Sequence, residues 1–208
     1  MDGVIVDNMK YHRKAWEIFL SKYSPDLNVA EFSRNFGKAN QDLMTIVFDR
    51  EVSLEEAGSL GEEKEALYRR LYTGKVKPIP GLEKFLKTLK KSRKKIAVAS
   101  AAPRKNVDFV LDALKFRKYF DAVVDADDVQ KGKPDPEIYL KVADAVGCKP
   151  RSCLVFEDSF PGIQSALNAG MRVIGVKTTY SSKELQNTEK VIEDFTEVDL
   201  SVLEEMFN

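Results

Sequence analysis

The stretch Cys153-Leu154-Val155-Phe156-Glu157-Asp158-Ser159-Phe160-Pro161-Gly162-Ile163-Gln164-Ser165-Ala166-Leu167-Asn168-Ala169-Gly170 decides the fold. Its first four residues are apolar without alternation, as a strand covered on both faces requires. Two carboxylates follow at once. Over residues 161–169 the apolar positions then fall at helical spacing, until Gly170 offers a C-terminal cap. A buried strand, an acidic turn and an amphipathic helix make one half of a β-α-β unit. The same alternation continues on both sides: Ile96-Ala97-Val98-Ala99, Ala122-Val123-Val124 and Val173-Ile174-Gly175-Val176 read as further strands, and residues 82–89, 107–114 and 136–146 as helices. From about residue 78 onward the chain predicts an α/β fold, a Rossmann-like parallel sheet.

The first third reads differently. Over residues 9–73 nothing resembles a strand, and the apolar residues keep a 3.6 period. Ala15, Trp16, Phe19, Leu20 and Tyr23 share one face, Ser24-Pro25-Asp26 breaks the helix, and Asn28 with Glu31 starts the next as a capping box, a device repeated at Ser53 and Glu56. Lys75-Val76-Lys77-Pro78-Ile79-Pro80-Gly81 forms a return linker. The expected organisation is therefore an α/β core of residues 1–8 and 76–208 with an inserted α-helical domain of residues 9–75.

Composition excludes several classes. The 208 residues balance 33 Lys and Arg against 33 Asp and Glu. Zero net charge argues against general binding to nucleic acid or to an acidic membrane surface, since both need a basic excess. No apolar run approaches the roughly 18 residues that cross a bilayer, and MDGVIVDN has no basic segment of a signal peptide. Cys148 and Cys153 are too few for a disulfide framework and read as structural, with no base placed to activate either thiol. A reduced, cytoplasmic, monomeric protein is expected.

In an open parallel sheet, ligands bind beyond the carboxyl ends of the strands. Four segments supply polar residues there: Asp2-Gly3, Ser100-Ala101-Ala102, Lys133-Pro134-Asp135-Pro136 and Glu157-Asp158-Ser159. They bring carboxylates, a hydroxyl, an ammonium, and an acidic pair suited to an oxygen-seeking ion such as Mg²⁺. Each residue also has a plainer reading. Glu157 and Asp158 could serve a helix macrodipole, and Ser100 could cap a helix. Trp16 and Phe19 continue an apolar stripe and read as packing, and Lys90-Lys91 with Arg93-Lys94-Lys95 reads as a solvated helix end.

Taken together, MDGVIVDN, VAS ending at Ser100, GKPDPEIY with Lys133 and VFEDSFPGIQSALNAG with Glu157 and Asp158 resemble the four motifs of the haloacid dehalogenase superfamily, in its β-phosphoglucomutase-like branch. The helical insert sits where that family places its cap domain, with the active site between cap and core. The resemblance implies Mg²⁺-dependent phosphoryl transfer from a small phosphorylated metabolite through an aspartyl-phosphate. Asp2 matches the acid/base, Ser100 the group that bonds a phosphoryl oxygen and Lys133 the balancing charge; Glu157 and Asp158 would hold Mg²⁺ beside the backbone carbonyl of Asp2. Ala101 stands with Ser100 in the substrate loop. The nucleophilic aspartate should stand two positions before Asp2, on an apolar strand, and the expectation is that the full gene product carries both ahead of Met1.

Two cap features bear on substrate. Tyr11-His12 resembles the corresponding pair of the sugar-phosphate mutases and of some related phosphatases, where the histidine helps couple cap closure to acid/base alignment. Gly37-Lys38-Ala39-Asn40 resembles the substrate-selecting cap loop, with Lys38 placed for a second anionic group. The mutases carry an arginine where Asn40 stands, and a neutral amide lacks the bidentate charged contact of a guanidinium. A phosphatase acting on a sugar-phosphate-like compound is the expected function. The alternatives are a hexose-phosphate mutase and a non-catalytic binder of a phosphorylated ligand.

Overall fold

Strands too short to stand alone organise the larger of two units. In the computed structural model, which describes residues 1–32, 40–181, 183–185 and 187–207, β1 (Ala97–Ala99) pairs in parallel with β2 (Ala122–Val124). Separately, β3 (Leu154–Glu157) pairs in parallel with β4 (Arg172–Val176), and β4 with β5 (Lys190–Ile192). Val98 lies opposite Val123, Val155 opposite Val173 and Gly175 opposite Val191. Parallel neighbours need crossover connections. Helix α6 (Arg104–Leu114) supplies the one between β1 and β2 and α8 (Phe160–Asn168) the one between β3 and β4, while α7 (Glu137–Ala145) leads from one sheet to the other and α5 (Leu82–Lys91) precedes β1. A last helix, α9 (Leu200–Glu205), follows β5. The sequence pattern missed β5 and α9, because three residues behind a charged loop and a six-residue helix give too little periodicity to detect. It also ended the third strand one residue early: Glu157 takes the final ladder position, opposite Gly175.

The strands thus form two sheets, of order β1-β2 and β3-β4-β5. A cavity of about 880 Å³ is lined by Ala97, Val98 and Ala99 of β1 and by Leu154, Val155 and Phe156 of β3. Leu82, Leu86 and Leu89 of α5, Val142 of α7, Met1 and Ile5 complete much of its apolar wall. This explains why Ala97, Ala99, Leu154, Val155 and Phe156 are only half-buried, although their sequence reads as core. Elsewhere packing is tight. Ile138, Tyr139 and Ala143 of α7 meet Ile163 and Ala166 of α8 over Val173. Phe85, Phe156 and Phe195 form an aromatic triad with centroids 5.1 to 5.7 Å apart.

The chain divides into compact units of Met1–Asp7 with Val76–Asn208, and of Asn8–Lys75. The second unit is helical: α1 (Met9–Tyr23), α2 (Val29–Phe32), α3 (Asn40–Phe48) and α4 (Leu54–Tyr72). Helix α1 stops at Ser24, as the Ser-Pro-Asp break requires. The Asn28 carboxamide accepts from the backbone N–H of Ala30 at 2.8 Å, and Ser53 Oγ from that of Glu56 at 3.2 Å. The Glu56 carboxylate itself bonds Arg50, at 2.5 and 3.1 Å. Trp16, Phe19, Leu20, Phe32, Leu43 and Met44 fill the core of this unit, with Trp16 edge-on to Phe19 and Phe32 at 5.6 and 4.7 Å. Trp16 and Phe19 are packing residues. Truncating Phe19, fully buried, to alanine should cost about 3–5 kcal/mol.

Candidate active site

At the carboxyl end of β3 the chain meets the first turn of α8, and the Glu157 carboxylate lies in that corner. Its Oε2 accepts from the backbone N–H groups of Asp158 at 2.9 Å and Ser159 at 3.2 Å, and from Ser159 Oγ at 3.0 Å. A Cβ on Gly162 would stand 2.0 Å from Glu157 Oε1, so the helix must present glycine there. Ser159 caps α8 through Gly162 N–H at 3.2 Å. On the other side, Glu157 Oε1 accepts from the Tyr139 hydroxyl at 3.0 Å and from the Lys133 ammonium in a short bond. Lys133 Nζ also donates to the Tyr139 hydroxyl at 3.1 Å.

The loop carrying Lys133 is fixed from several sides. Glu137 accepts from the backbone N–H groups of Gln130 and Lys131, at 3.1 and 2.9 Å. Ser165 Oγ donates to the Asp135 carbonyl at 2.6 Å, and Asn168 Nδ2 to that of Pro134 at 3.0 Å. An ammonium on such a loop loses little entropy when it meets a ligand.

Burial opposes charge here, and the partners override it. Burial pulls the Lys133 pKa down, but Glu157 beside it raises it on balance, so the ammonium stays charged. Burial likewise raises Glu157, while the Lys133 charge and hydrogen bond bring it below the usual carboxylate range. Asp158 has no such partner: burial first, then the Glu157 charge, push its carboxyl upward against a hydrogen bond from Thr179. Two carboxylates share one lysine.

Asp158 also receives the start of the chain. Gly3 has φ +66°, and a Cβ on it would stand 1.9 Å from Asp158 Oδ2. Only glycine reaches this position and this conformation without strain. The turn is closed by Gly3 N–H to the Val6 carbonyl at 2.8 Å and Ile5 N–H to that of Met1 at 2.7 Å. Thr178 Oγ1 donates to the Gly3 carbonyl at 2.5 Å, and Thr179 Oγ1 to Asp158 Oδ2 at 2.5 Å.

The structure therefore brings the Asp2-Gly3 turn together with Lys133, Glu157 and Asp158, which lie more than a hundred residues further along the chain. Asp2 itself is half-buried on that turn. Ser100 and Ala101 lie at the carboxyl end of β1: Ser100 is buried, its N–H bonds the Val124 carbonyl at 3.0 Å, and its Oγ accepts from Ala102 N–H at 3.2 Å. It does not cap α6, whose N-cap position is Pro103. Ala101 is exposed. His12 belongs to the helical unit, where its ring stacks on Tyr68 at 3.8 Å and lies 3.9 Å from Glu65. Lys38 lies outside the described residues, and Asn40 begins α3. Sequence reasoning missed Tyr139, Thr178, Thr179 and the close approaches of Gly3 and Gly162. The two threonines follow β4 at the ligand edge, so inspecting the polar residues after every strand would have found them.

Among the described residues no group of three or more His, Cys, Asp and Glu is assembled as a metal cluster. The donor chemistry nevertheless fits a hard divalent cation: carboxylate and carbonyl oxygens, with more negative than positive charge. Asp158 is the member short of positive charge. Glu157 already accepts five hydrogen bonds within the protein.

Residues 1–170 match the family model described as haloacid dehalogenase-like hydrolase. A phosphorylated-carbohydrates phosphatase of Thermotoga maritima is 33% identical, over 85% of this chain and 82% of its own. A β-phosphoglucomutase of Bacillus subtilis is 32% identical, over 85% and 80%. The crystal structure of a haloacid dehalogenase hydrolase of family IA, variant 3, from Entamoeba histolytica superposes with a TM-score of 0.92 at 29% identity, covering 100% of this chain and 97% of that one.

Proposed function

Since this chain belongs to the haloacid dehalogenase-like hydrolases, we propose that it is a Mg²⁺-dependent phosphatase of small phosphorylated metabolites, with sugar phosphates the leading class. The observation that carries this reading is the convergence of Lys133, Glu157, Asp158 and the Asp2-Gly3 turn at one sheet edge. Phosphoryl transfer needs charge neutralisation and in-line positioning above all. Lys133 supplies a fixed positive charge toward the phosphoryl oxygens, Ser100 a hydroxyl donor, and the Asp158 carboxylate with the Asp2 carbonyl the oxygens for the cation, Glu157 bracing Lys133. Bound Mg²⁺ would neutralise charge on the phosphoryl group.

The nucleophile of this reading is an aspartate two positions ahead of Asp2, on a strand leading into Met1. Its carboxylate forms a bond to phosphorus as the ester P–O bond breaks, and the leaving oxygen takes the proton of Asp2. A water then attacks phosphorus, giving its proton to Asp2, and the acyl-phosphate bond breaks to free inorganic phosphate. The cavity between β1 and β3 supports this placement. Met1 lines that cavity.

The similarity to a carbohydrate-phosphate phosphatase supports sugar phosphates as substrates. The similarity to a mutase keeps a second reading, hexose-phosphate isomerisation, against which the amide of Asn40 speaks. The test compares the chain starting at Met1 with a version extended through the upstream codons, on a panel of sugar phosphates with Mg²⁺. Inorganic phosphate released by the extended version, and none by the shorter chain, is the expected result. Isomerised sugar phosphate without net phosphate release would transfer the assignment to a mutase. A folded, Mg²⁺-binding extended protein that turns over no ester would remove catalysis and leave a binder.

A further inference from the structure

We propose that Thr178 and Thr179 are positioning residues that preset the cation-holding oxygens, an inference that rests on the phosphatase reading. They follow β4, at the same sheet edge as Asp158. Their hydroxyls reach two different groups: Thr178 Oγ1 donates to the Gly3 carbonyl and Thr179 Oγ1 to Asp158 Oδ2, both at 2.5 Å. Between those two groups Gly3 packs so close to the Asp158 carboxylate that a Cβ on it would stand 1.9 Å from Oδ2. The threonine pair thus closes that contact from both ends.

The consequence is physical. An aspartate carboxylate turns broadly about its last torsion. Tethering Oδ2 fixes that torsion before any ligand arrives, so the ordering cost is already met within the folded protein. Thr178 acts on the backbone next to it: by holding the Gly3 carbonyl it fixes the peptide after Gly3, while the preceding peptide, which carries the Asp2 carbonyl, is held by its own Gly3 N–H to the Val6 carbonyl at 2.8 Å; the threonine thus secures the turn on which the Asp2 carbonyl is presented. Neither hydroxyl would need to touch the cation, and partners of this outer kind are worth ~10–100-fold in metal affinity. Threonine has a stiff χ1, which makes a hydroxyl on this residue a better fixed tether than one on serine.

The experiment is Mg²⁺ binding by titration calorimetry on the full chain, with melting temperature measured alongside. Thr179→Val, an isosteric change, should weaken Mg²⁺ binding ~10–100-fold, with Thr178→Val weaker in the same direction and Thr179→Ser retaining most of the affinity. Thr179→Ala serves as a second hydroxyl-free variant should the valine protein not fold. Thr188→Val removes a threonine hydroxyl that, among the described residues, bonds the Leu185 carbonyl at 3.1 Å, and should leave Mg²⁺ affinity unchanged. In an active extended chain the loss should appear in the Mg²⁺ concentration needed for half-maximal rate, more than in the rate at saturating Mg²⁺. Hydroxyl-free variants that bind Mg²⁺ as the parent does overturn the proposal and leave the phosphatase reading standing. A parent protein that binds no Mg²⁺ overturns both.

Discussion

Each unit of this molecule buries a lysine against a glutamate, and the two pairs differ in what surrounds them. In the helical unit Lys64 and Glu65 are neighbours on α4, with side chains 5% and 10% exposed. Lys64 sits over the Trp16 ring at 5.0 Å, and Glu65 approaches His12. In the α/β unit Lys133 and Glu157 are 11% and 6% exposed, with the ammonium 4.9 Å from the Tyr139 ring. By burial, charge and aromatic company the two are alike. They differ in what surrounds them. Lys64 and Glu65 cancel each other within one helix, whereas the Lys133 charge is shared by Glu157 and the neighbouring Asp158 at the open end of a parallel strand. Burial of an ion pair therefore says little about function; an uncancelled carboxylate beside it, at a ligand edge, says more.

The largest expected effect concerns stability. Removing one member of a buried pair leaves the other uncompensated and typically costs ~3–5 kcal/mol. Lys64→Ala and Lys133→Ala should both show a loss of that order in urea unfolding. The pairs should part when both members become apolar. Lys64→Met with Glu65→Leu should recover most of the loss, since well-packed apolar replacements of buried pairs are often neutral. Lys133→Met with Glu157→Leu should not, because the N–H groups of Asp158 and Ser159 and the Tyr139 hydroxyl lose their acceptor. Equal recovery in both would erase the distinction drawn above.

Turnover sharpens the same contrast. In the extended protein, Lys133→Ala should lower phosphate release by a factor of ~100 or more, as loss of one preorganised charge does. The Lys64→Met, Glu65→Leu double variant should lose far less, its effect passing only through Glu65 beside His12. A comparable loss in both would assign Lys133 to structure alone.

The smallest effect tests the loop that aims Lys133. Folding lowers the Glu137 pKa to about 2, chiefly through its bond to Lys141 and then the N–H groups of Gln130 and Lys131. The unfolded value is ~4.3. The stabilisation is thus present near neutral pH and is lost as pH falls from about 4 toward 2. Glu137→Gln should melt below the parent at neutral pH, with the gap closing in that acid range. A gap of constant size across the range would show that the carboxylate charge does not hold the loop.

Much of this was legible beforehand. Unbroken apolar runs such as Val173-Ile174-Gly175-Val176 betray strands covered on both faces, and the period of Ala15, Trp16, Phe19 and Leu20 betrays a helix. Glu157-Asp158 stands out because carboxylates rarely follow a buried strand without purpose. Tyr139 was invisible: on α7 it looks like one more member of an apolar stripe, and only packing reveals that its hydroxyl bridges Lys133 and Glu157. Nor does sequence periodicity show that β1 and β3 border a cavity, since an apolar strand has the same pattern with or without a neighbour on each edge.

Sequence alone determined the order of elements, the helical insert and the residue types waiting at the strand ends, because these follow from local periodicity and from the chemistry of single side chains. The tertiary structure decided which of those side chains share a charge, that Gly3 presses on Asp158, and that two threonines after β4 close the contact. Those are distances between segments far apart in the chain, and no local pattern encodes them.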